Sequence, residues 1–163
     1  MAVIAKIILV TGALGQIGAE LVPALRQHHG AENVVAADIR APALGVMGGA
    51  GSGEGRFEQL DCTSTQQIQD AVRRHGVGTI YHLAALLSAV AEERPQDAWQ
   101  LNMGGLYGVL EVARQNRCAV FFPSSIGVFG PTTPRENTPQ DTIQRPTSMY
   151  GVTKVSSELL CDY

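Results

Sequence analysis

Tyr150-Gly151-Val152-Thr153-Lys154 sets a phenol and an ammonium four residues apart in a stretch that reads as a helix. At that spacing both side chains lie on one face, a turn apart, so the lysine's charge favours the phenolate over the phenol. A tyrosine tuned in this way is a general base. The same string, taken alone, is also that of a solvated helix face. Its weight comes from the opposite end of the chain.

There Thr11-Gly12-Ala13-Leu14-Gly15-Gln16-Ile17-Gly18 follows the apolar run Ile4-Ala5-Lys6-Ile7-Ile8-Leu9-Val10 and opens an amphipathic segment. Strand, glycine turn and helix in that order aim backbone N–H groups and a helix N-terminus at one spot, where a pyrophosphate is stabilised. Gly12 permits the tight turn, Gly15 lets phosphates approach the backbone, and Gly18 allows close packing of helix on sheet. The first glycine interval is one residue longer than in the standard dinucleotide fingerprint.

A second apolar run, Asn33 to Asp38, ends in a carboxylate 20 residues after Gly18. In a βαβ unit that position faces the adenosine ribose. A carboxylate there accepts from the ribose hydroxyls and repels a 2′-phosphate, which favours NAD over NADP. Arg40 brings a guanidinium nearby that could accommodate the phosphate. The expectation is that it turns outward as a loop cation while Asp38 decides.

The elements that must position these groups follow in alternation. Ala41 to Gly55 is glycine-rich, without helical period, and reads as a flexible surface loop. Strands are expected at Arg56–Leu60, Gly78–Leu83 and Ala119–Phe122. A helix capped by Ser64 has Ile68, Ala71, Val72 and His75 on one face, and a long helix from Pro95 has Trp99, Met103, Leu106, Leu110 and Ala113. Five strands with intervening helices give an α/β fold, a doubly wound parallel sheet of the Rossmann kind. Its ligands gather at the carboxyl ends of the strands. The residues there are the glycine turn, Asp38, Asp61-Cys62, Ala84-Ala85 and Ser124-Ser125. Asp61 suits recognition of the adenine amino group or support of the helix start; Ala84 and Ala85 suit a ring lying on backbone or a plain tight turn.

Composition narrows the class. The 163 residues, 45% hydrophobic and 17% charged, suffice for one domain with a buried core. A net charge of −3 with scattered arginines gives no basic stripe for nucleic acid. No apolar run approaches the roughly 20 residues of a membrane span, and the N-terminus lacks the pattern of a signal peptide. Cys62, Cys118 and Cys161 form no C-x-x-C pair, which suits reduced thiols in the cytoplasm, and no metal-ligand spacing is present.

Thr11-Gly12-x-x-Gly15-x-x-Gly18, Asp38, Asp61, His82-Leu83-Ala84-Ala85, Asn102, Ser124-Ser125 and Tyr150-x-x-x-Lys154 resemble, in order and spacing, the extended short-chain dehydrogenase/reductases. Within that group Leu86-Leu87-Ser88-Ala89, Pro123 to Pro131, Ile143-Gln144-Arg145-Pro146 and Tyr150 to Val155 are most similar to the short-chain type of L-threonine 3-dehydrogenase, a relative of the UDP-galactose 4-epimerases. Epimerases of the group usually carry Ala-Thr-Val-Tyr-Gly after the serine, where this chain has Ile126-Gly127-Val128-Phe129-Gly130. The Asp-Glu pair of the sugar dehydratases is missing.

The resemblance implies oxidation of L-threonine at its β-hydroxyl to 2-amino-3-ketobutyrate, with NAD as cofactor. Catalysis would fall to Ser125, Tyr150 and Lys154: Tyr150 takes the hydroxyl proton, Lys154 tunes it and donates to the nicotinamide ribose, and Ser125 holds the substrate hydroxyl. The residues expected to contact the cofactor are Gly12, Gly15, Gln16, Ile17, Gly18, Asp38, Ile39, Arg40, Asp61, Cys62, Leu83, Ala84, Ala85, Asn102, Ser124, Tyr150 and Lys154. Ser88, Ser125 and Tyr150 are expected at the substrate. Asn102 either holds the lysine through water, as the resemblance implies, or is a satisfied polar residue of its helix. His82 is expected as a core histidine with a bonded ring, and His28, His29 and His75 as solvent-facing helix-end residues.

Relatives of this kind add strands and a substrate lobe beyond the Tyr-Lys helix. Residues 1–163 are therefore expected to be an NAD-binding Rossmann domain truncated inside that helix, with weak NAD binding and little turnover alone. A homodimer through the long helix and the Tyr-Lys helix is also implied, and exposed Leu101 and Val109 would agree with it unless both pack into their own core. A nucleotide-sugar epimerase or reductase and a non-catalytic NAD-sensing module remain alternatives, although sensing requires none of Ser125, Tyr150 and Lys154.

Overall fold

The structure, a computed structural model, describes residues 7–41 and 55–163. The glycine-rich loop expected between Ala41 and Gly55 lies, but for its two ends, outside the described residues. The chain falls into two compact units, one of residues Met1–Ala84 and Gly108–Phe122, the other of Ala85–Tyr107 and Pro123–Tyr163.

The first unit holds a five-stranded, all-parallel sheet in the order β3-β2-β1-β4-β5. Its strands are β1 (Ile7–Thr11), β2 (Val34–Asp38), β3 (Phe57–Gln59), β4 (Val77–His82) and β5 (Ala119–Phe121). The chain moves outward from β1 through β2 to β3, then returns to the other side of β1 at β4. That reversal opens a crevice at the carboxyl ends of β1 and β4, the place where ligands of doubly wound sheets bind. Runs such as Val34-Val35-Ala36-Ala37, fully buried, are what a strand covered on both faces requires.

Helix α1 (Gln16–His29) lays Val22 and Leu25 on Ile8, Val10, Val34 and Ala36, and each fully buried aliphatic side chain there contributes about 1.5–3 kcal/mol. Helix α2 (Thr65–His75) starts at Ser64, whose side chain accepts from the Gln67 N–H, and ends at Gly76 in the left-handed conformation. Its buried face is Ile68, Gln69, Ala71 and Val72. Gln69 exchanges amide hydrogen bonds of 3.2 Å with Asn116, so a buried polar residue is satisfied within the same unit.

The expected long helix is three pieces: α4 (Pro95–Ala98) after the short α3 (Ser88–Glu93), then a π-helical stretch Trp99–Gly105, then α5 (Leu106–Asn116). The buried stripe runs one position away from the expected one. Ala98, Asn102, Gly105, Leu106, Val109, Val112 and Ala113 are buried, whereas Trp99 is 51% exposed. Val109 is therefore a core residue, not an exposed one, and Leu101 is half-buried. Helix α6 (Met149–Asp162) closes the second unit; its cap is Ser148, which accepts from the Gly151 N–H.

His75 departs from its expected solvent exposure. It packs half-buried against the edge strand β3, with Nε2 2.6 Å from Glu58 Oε1, while Arg74 Nη1 donates to both Glu58 oxygens at 2.8 Å. Burial alone would raise the Glu58 carboxyl, but the bonds from His75 and Arg74 outweigh it and hold it below its ordinary value. Because the folded value lies below the unfolded one, this stabilisation is fully present above the ordinary glutamate range and is lost as pH falls through it. Glu58→Gln should cost about 1–2 kcal/mol at neutral pH in urea denaturation, and the gap should shrink as pH drops below about 4.

Candidate active site

In the first unit, the turn after β1 is built by close approach. Gly12 has φ +68°, and a Cβ there would stand 2.7 Å from the backbone nitrogen of Ala84, so a side chain is excluded by conformation and by space. A Cβ on Gly18 would lie 2.6 Å from Ala13 Cα, which is the helix-on-turn packing the spacing requires. Helix α1 begins at Gly15 with no side chain capping it. Its first N–H groups are thus left for an anion, and Gln16 and Ile17 beside them are exposed.

Asp38 ends β2 as a buried carboxylate. It accepts from the Leu14 N–H at 3.0 Å and from the backbone N–H and Nε of Arg40 at 3.1 Å each. Burial alone would raise this carboxyl, but the Arg40 side chain and the two backbone donors outweigh it and hold it below its ordinary value. Arg40 does not turn outward as expected: it is fastened to Asp38 and, through Nη2, to the Leu14 carbonyl at 3.0 Å. Ile39 is exposed beside them.

Asp61 spends one carboxylate oxygen on the backbone N–H and hydroxyl of Thr63, both at 2.8 Å, which is the helix-start role. Cys62 is a buried thiol, pushed up to about 12 by burial first and by the carboxylates of Asp61 and Asp38. His82 is buried with Nδ1 2.8 Å from Thr11 Oγ1, a bonded core ring. Leu83 continues the sheet pattern by donating its N–H to Thr11, and Ala84 meets Gly12.

The second unit gathers the remaining candidates. Ser125 caps a short 3₁₀ turn, Ile126–Val128, by accepting from the Gly127 N–H at 3.1 Å. A Cβ built on Gly127 would lie 3.4 Å from Ser125 Oγ and 3.5 Å from the Tyr150 ring, so the hydroxyl and the phenol flank one residue. Gly151 makes this possible. A side chain there would strike the Gly127 carbonyl and approach Pro146 Cβ to 2.5 Å, and its absence lets α6 begin against the turn.

Lys154, one turn along α6, places Nζ 5.6 Å from the Tyr150 ring centroid and donates to the Pro123 carbonyl at 2.7 Å. It is 4% exposed, and burial brings it down to about 8, with Cys161 and Glu158 opposing that fall. Asn102 is a satisfied polar residue of its helix. Its carbonyl accepts from the Leu86 N–H at 2.8 Å, and its amide donates to the Leu86 carbonyl at 3.1 Å and to Thr153 Oγ1 at 3.2 Å. It clamps the segment after Ala85 to α6, one residue from the lysine.

Ser124 donates its hydroxyl to Glu158, whose other oxygen accepts from Gln144 at 2.8 Å, while Ser88 stands exposed at the start of α3. Glu158 and Gln144 escaped the sequence reading. The four-residue step from Lys154 to Glu158 was the available signal, since it repeats the step from Tyr150. Glu92, which accepts from the Met149 N–H at 2.5 Å and so holds the first turn of α6, offered no comparable pattern.

Among the described residues no group of His, Cys, Asp and Glu is arranged to hold a metal, and no helix is long and apolar enough to cross a membrane. None of the three cysteines is in a disulfide.

Two measurements check this geometry. The chain has two lysines, Lys6 and Lys154, so NMR of ¹³C-methylated amines should give, beside the terminal amine, one lysine signal titrating near pH 8 that is absent from Lys154→Met. Asn102→Ala should cost about 2–4 kcal/mol in denaturation, because it strands buried partners at Leu86 and Thr153.

Comparison with known proteins agrees with the geometry. Residues 8–163 match the model of the NAD dependent epimerase/dehydratase family. An uncharacterized epimerase/dehydratase from Staphylococcus saprophyticus is 55% identical over 158 residues, covering 97% of this chain and 48% of that protein. The solved L-threonine dehydrogenase of Clostridium difficile superposes with a TM-score of 0.89 at 52% identity, over 98% of this chain and 49% of that one. A GalE-like L-threonine dehydrogenase from Cupriavidus necator, in its holo form, gives 0.89 at 44% identity, over 96% and 50%. The chain thus spans about half the length of the relatives it matches. With the glycine turn, the buried Asp38 and the uncapped start of α1 fitting a dinucleotide, the chain belongs to the NAD dependent epimerase/dehydratase family of extended short-chain dehydrogenase/reductases, with NAD as its cofactor.

Proposed function

We propose that this chain is the NAD-binding part of an L-threonine 3-dehydrogenase, which oxidises the β-hydroxyl of L-threonine to 2-amino-3-ketobutyrate. The observation that carries the reading is local to the second unit: Ser125 and Tyr150 flank Gly127, and Lys154 stands 5.6 Å from the Tyr150 ring. The likeness to threonine dehydrogenases at 44–52% identity supports the substrate.

NAD, when bound, accepts the hydride from the substrate carbon. The glycine turn and the start of α1 would hold its pyrophosphate, and Asp38 its adenosine ribose. Tyr150 removes the hydroxyl proton as phenolate. The Lys154 cation stabilises that phenolate, and its Nζ would also hold a ribose hydroxyl of the cofactor. Ser125 orients the substrate hydroxyl by hydrogen bond, and its neighbour Ser124, tied to Glu158, keeps the strand-end segment in place. Asn102 acts as a positioning residue through Thr153 and Leu86.

A nucleotide-sugar 4-epimerase is the second reading, favoured by the family's name and by the same Ser-Tyr-Lys set. Exposed Trp99, Tyr107 and Val152 on the helices from Pro95 to Asp162 support the homodimer, and three thiols outside any disulfide suit a reducing cytoplasm.

The test is NADH formation from NAD⁺ with L-threonine, beside conversion of UDP-galactose to UDP-glucose, which is redox-neutral and is followed by the sugar product, run on this chain and on any longer protein that carries it. Threonine alone should support turnover in the longer protein. Tyr150→Phe should lower kcat by about a thousandfold or more while NADH binding stays within about threefold. Turnover of UDP-galactose without threonine oxidation would refute the substrate, and an active Tyr150→Phe would refute the base.

A further inference from the structure

Glu158 stands where three segments of the second unit meet. One carboxylate oxygen accepts from the Ser124 hydroxyl, in the segment that begins at Pro123, and the other from the Gln144 amide at 2.8 Å, in the stretch that leads into α6. Glu158 itself lies half-buried on α6, one turn after Lys154 and on the same face. Lys154 in turn donates to the Pro123 carbonyl, so the consecutive residues Pro123 and Ser124 are fastened by side chains one turn apart on α6.

We propose that Glu158 is a positioning residue of the Ser125, Tyr150 and Lys154 set: it is the fixed counter-charge that keeps the buried lysine an ammonium, and it acts on the Tyr150 phenolate through Lys154.

Three observations carry this. First, Lys154 is 4% exposed and burial favours its neutral form, so a cation there requires an anion close by. Second, of the two groups that oppose burial, Cys161 and Glu158, only the carboxylate is charged at neutral pH. Burial, then the Asp162 and Glu158 carboxylates, lift the Cys161 thiol above its ordinary value against the pull of Lys154, which leaves it protonated. Tyr150, with its ring 5.6 Å away, is the group the lysine serves. Acidic groups on the other elements packed against α6 are placed elsewhere. Glu92 accepts from the Met149 N–H at the first turn, Asp97 pairs with Arg94, and Glu93 is exposed. The π stretch and the 3₁₀ turn carry no ionisable side chain, and Arg135, Glu136, Asp141 and Arg145 of the stretch before α6 are exposed. Third, the carboxylate is held at both oxygens. Exposed ion pairs contribute little because two long side chains must be ordered, whereas Ser124 and Gln144 have already fixed this one. Without that charge Lys154 moves toward the amine, and a neutral amine no longer stabilises the phenolate.

The inference rests on the proposed roles of Tyr150 and Lys154, yet its test reads Lys154 directly. The ¹³C-methylated chain is titrated by NMR as the unaltered sequence and as Glu158→Gln, Glu158→Asp, Gln144→Ala and Cys161→Ser. Lys154 should titrate about 0.5–1.5 pH units lower in Glu158→Gln, which keeps the shape and an acceptor oxygen but loses the charge. Glu158→Asp should recover about half of that step or more, and Gln144→Ala and Cys161→Ser, which keep the carboxylate, should stay within about 0.3 pH unit of the unaltered chain. In a longer protein that carries the chain, the alkaline limb of kcat/KM for L-threonine should move down by a like amount in Glu158→Gln. An unmoved Lys154 signal in Glu158→Gln would overturn the proposal. So would equal steps in Glu158→Gln and Glu158→Asp, which would make Glu158 a brace, or a step of the same size in Cys161→Ser, which would give the charge to the thiol. A longer protein that leaves threonine unoxidised would bring down the functional reading, and the Lys154 titration would still decide the counter-charge.

Discussion

The second unit depends on one buried amine. Lys154 is almost wholly withdrawn from solvent, and its hydrogen bond to the Pro123 carbonyl ties the segment that begins at Pro123 to α6. Withdrawing an ammonium from water is costly, and the protein answers with a carbonyl, the nearby Glu158 carboxylate and a site where the charge has a partner in the chemistry. The features around it follow from keeping that amine in place. Gly151 admits the helix to the 3₁₀ turn, Asn102 clamps Thr153 beside the lysine, and Glu92 fixes the first turn.

In the first unit the equivalent constraint is backbone proximity. Gly12 brings the turn after β1 against Ala84 at the end of β4, and the strand order places both at the point where the sheet reverses direction. Side chains contribute little there. The shape is made by their absence, which is why an anion finds peptide N–H groups at the start of α1 and not lysines.

Much of this was legible in sequence because it is set by spacing. The glycines of the first turn, the carboxylate 20 residues later and the Tyr-Lys step each report a local geometry that survives in any context. Strand bounds fell within a residue of those expected, save the start of the first apolar run, Ile4 to Lys6, which lies outside the described residues. What was hidden depends on partners distant in the chain or on irregular turns. Arg40 looked like a free loop cation because its second acceptor, Leu14, lies 26 positions earlier. His75 looked solvent-facing because Glu58 reaches it from another strand. The buried face of the helix from Pro95 was misjudged at Val109 and Trp99 because apolar residues also recur with the same period one position over, at 99, 103, 106, 110 and 113.

That irregular turn has a consequence for how the chain tolerates change in length. A π stretch holds one residue more per hydrogen-bonded ring than its neighbours, so removing a single residue between Trp99 and Gly105 would regularise the helix and not break it. The wide turn absorbs the extra residue, so the residues on either side of the cut would keep the faces they have, whereas the same deletion in a regular α-helix would turn one side by about 100° against the other. Circular dichroism would register an intact helix in both lengths. The extra residue is thus a local widening, invisible to any measure of helix content, at which the chain accepts a shorter sequence.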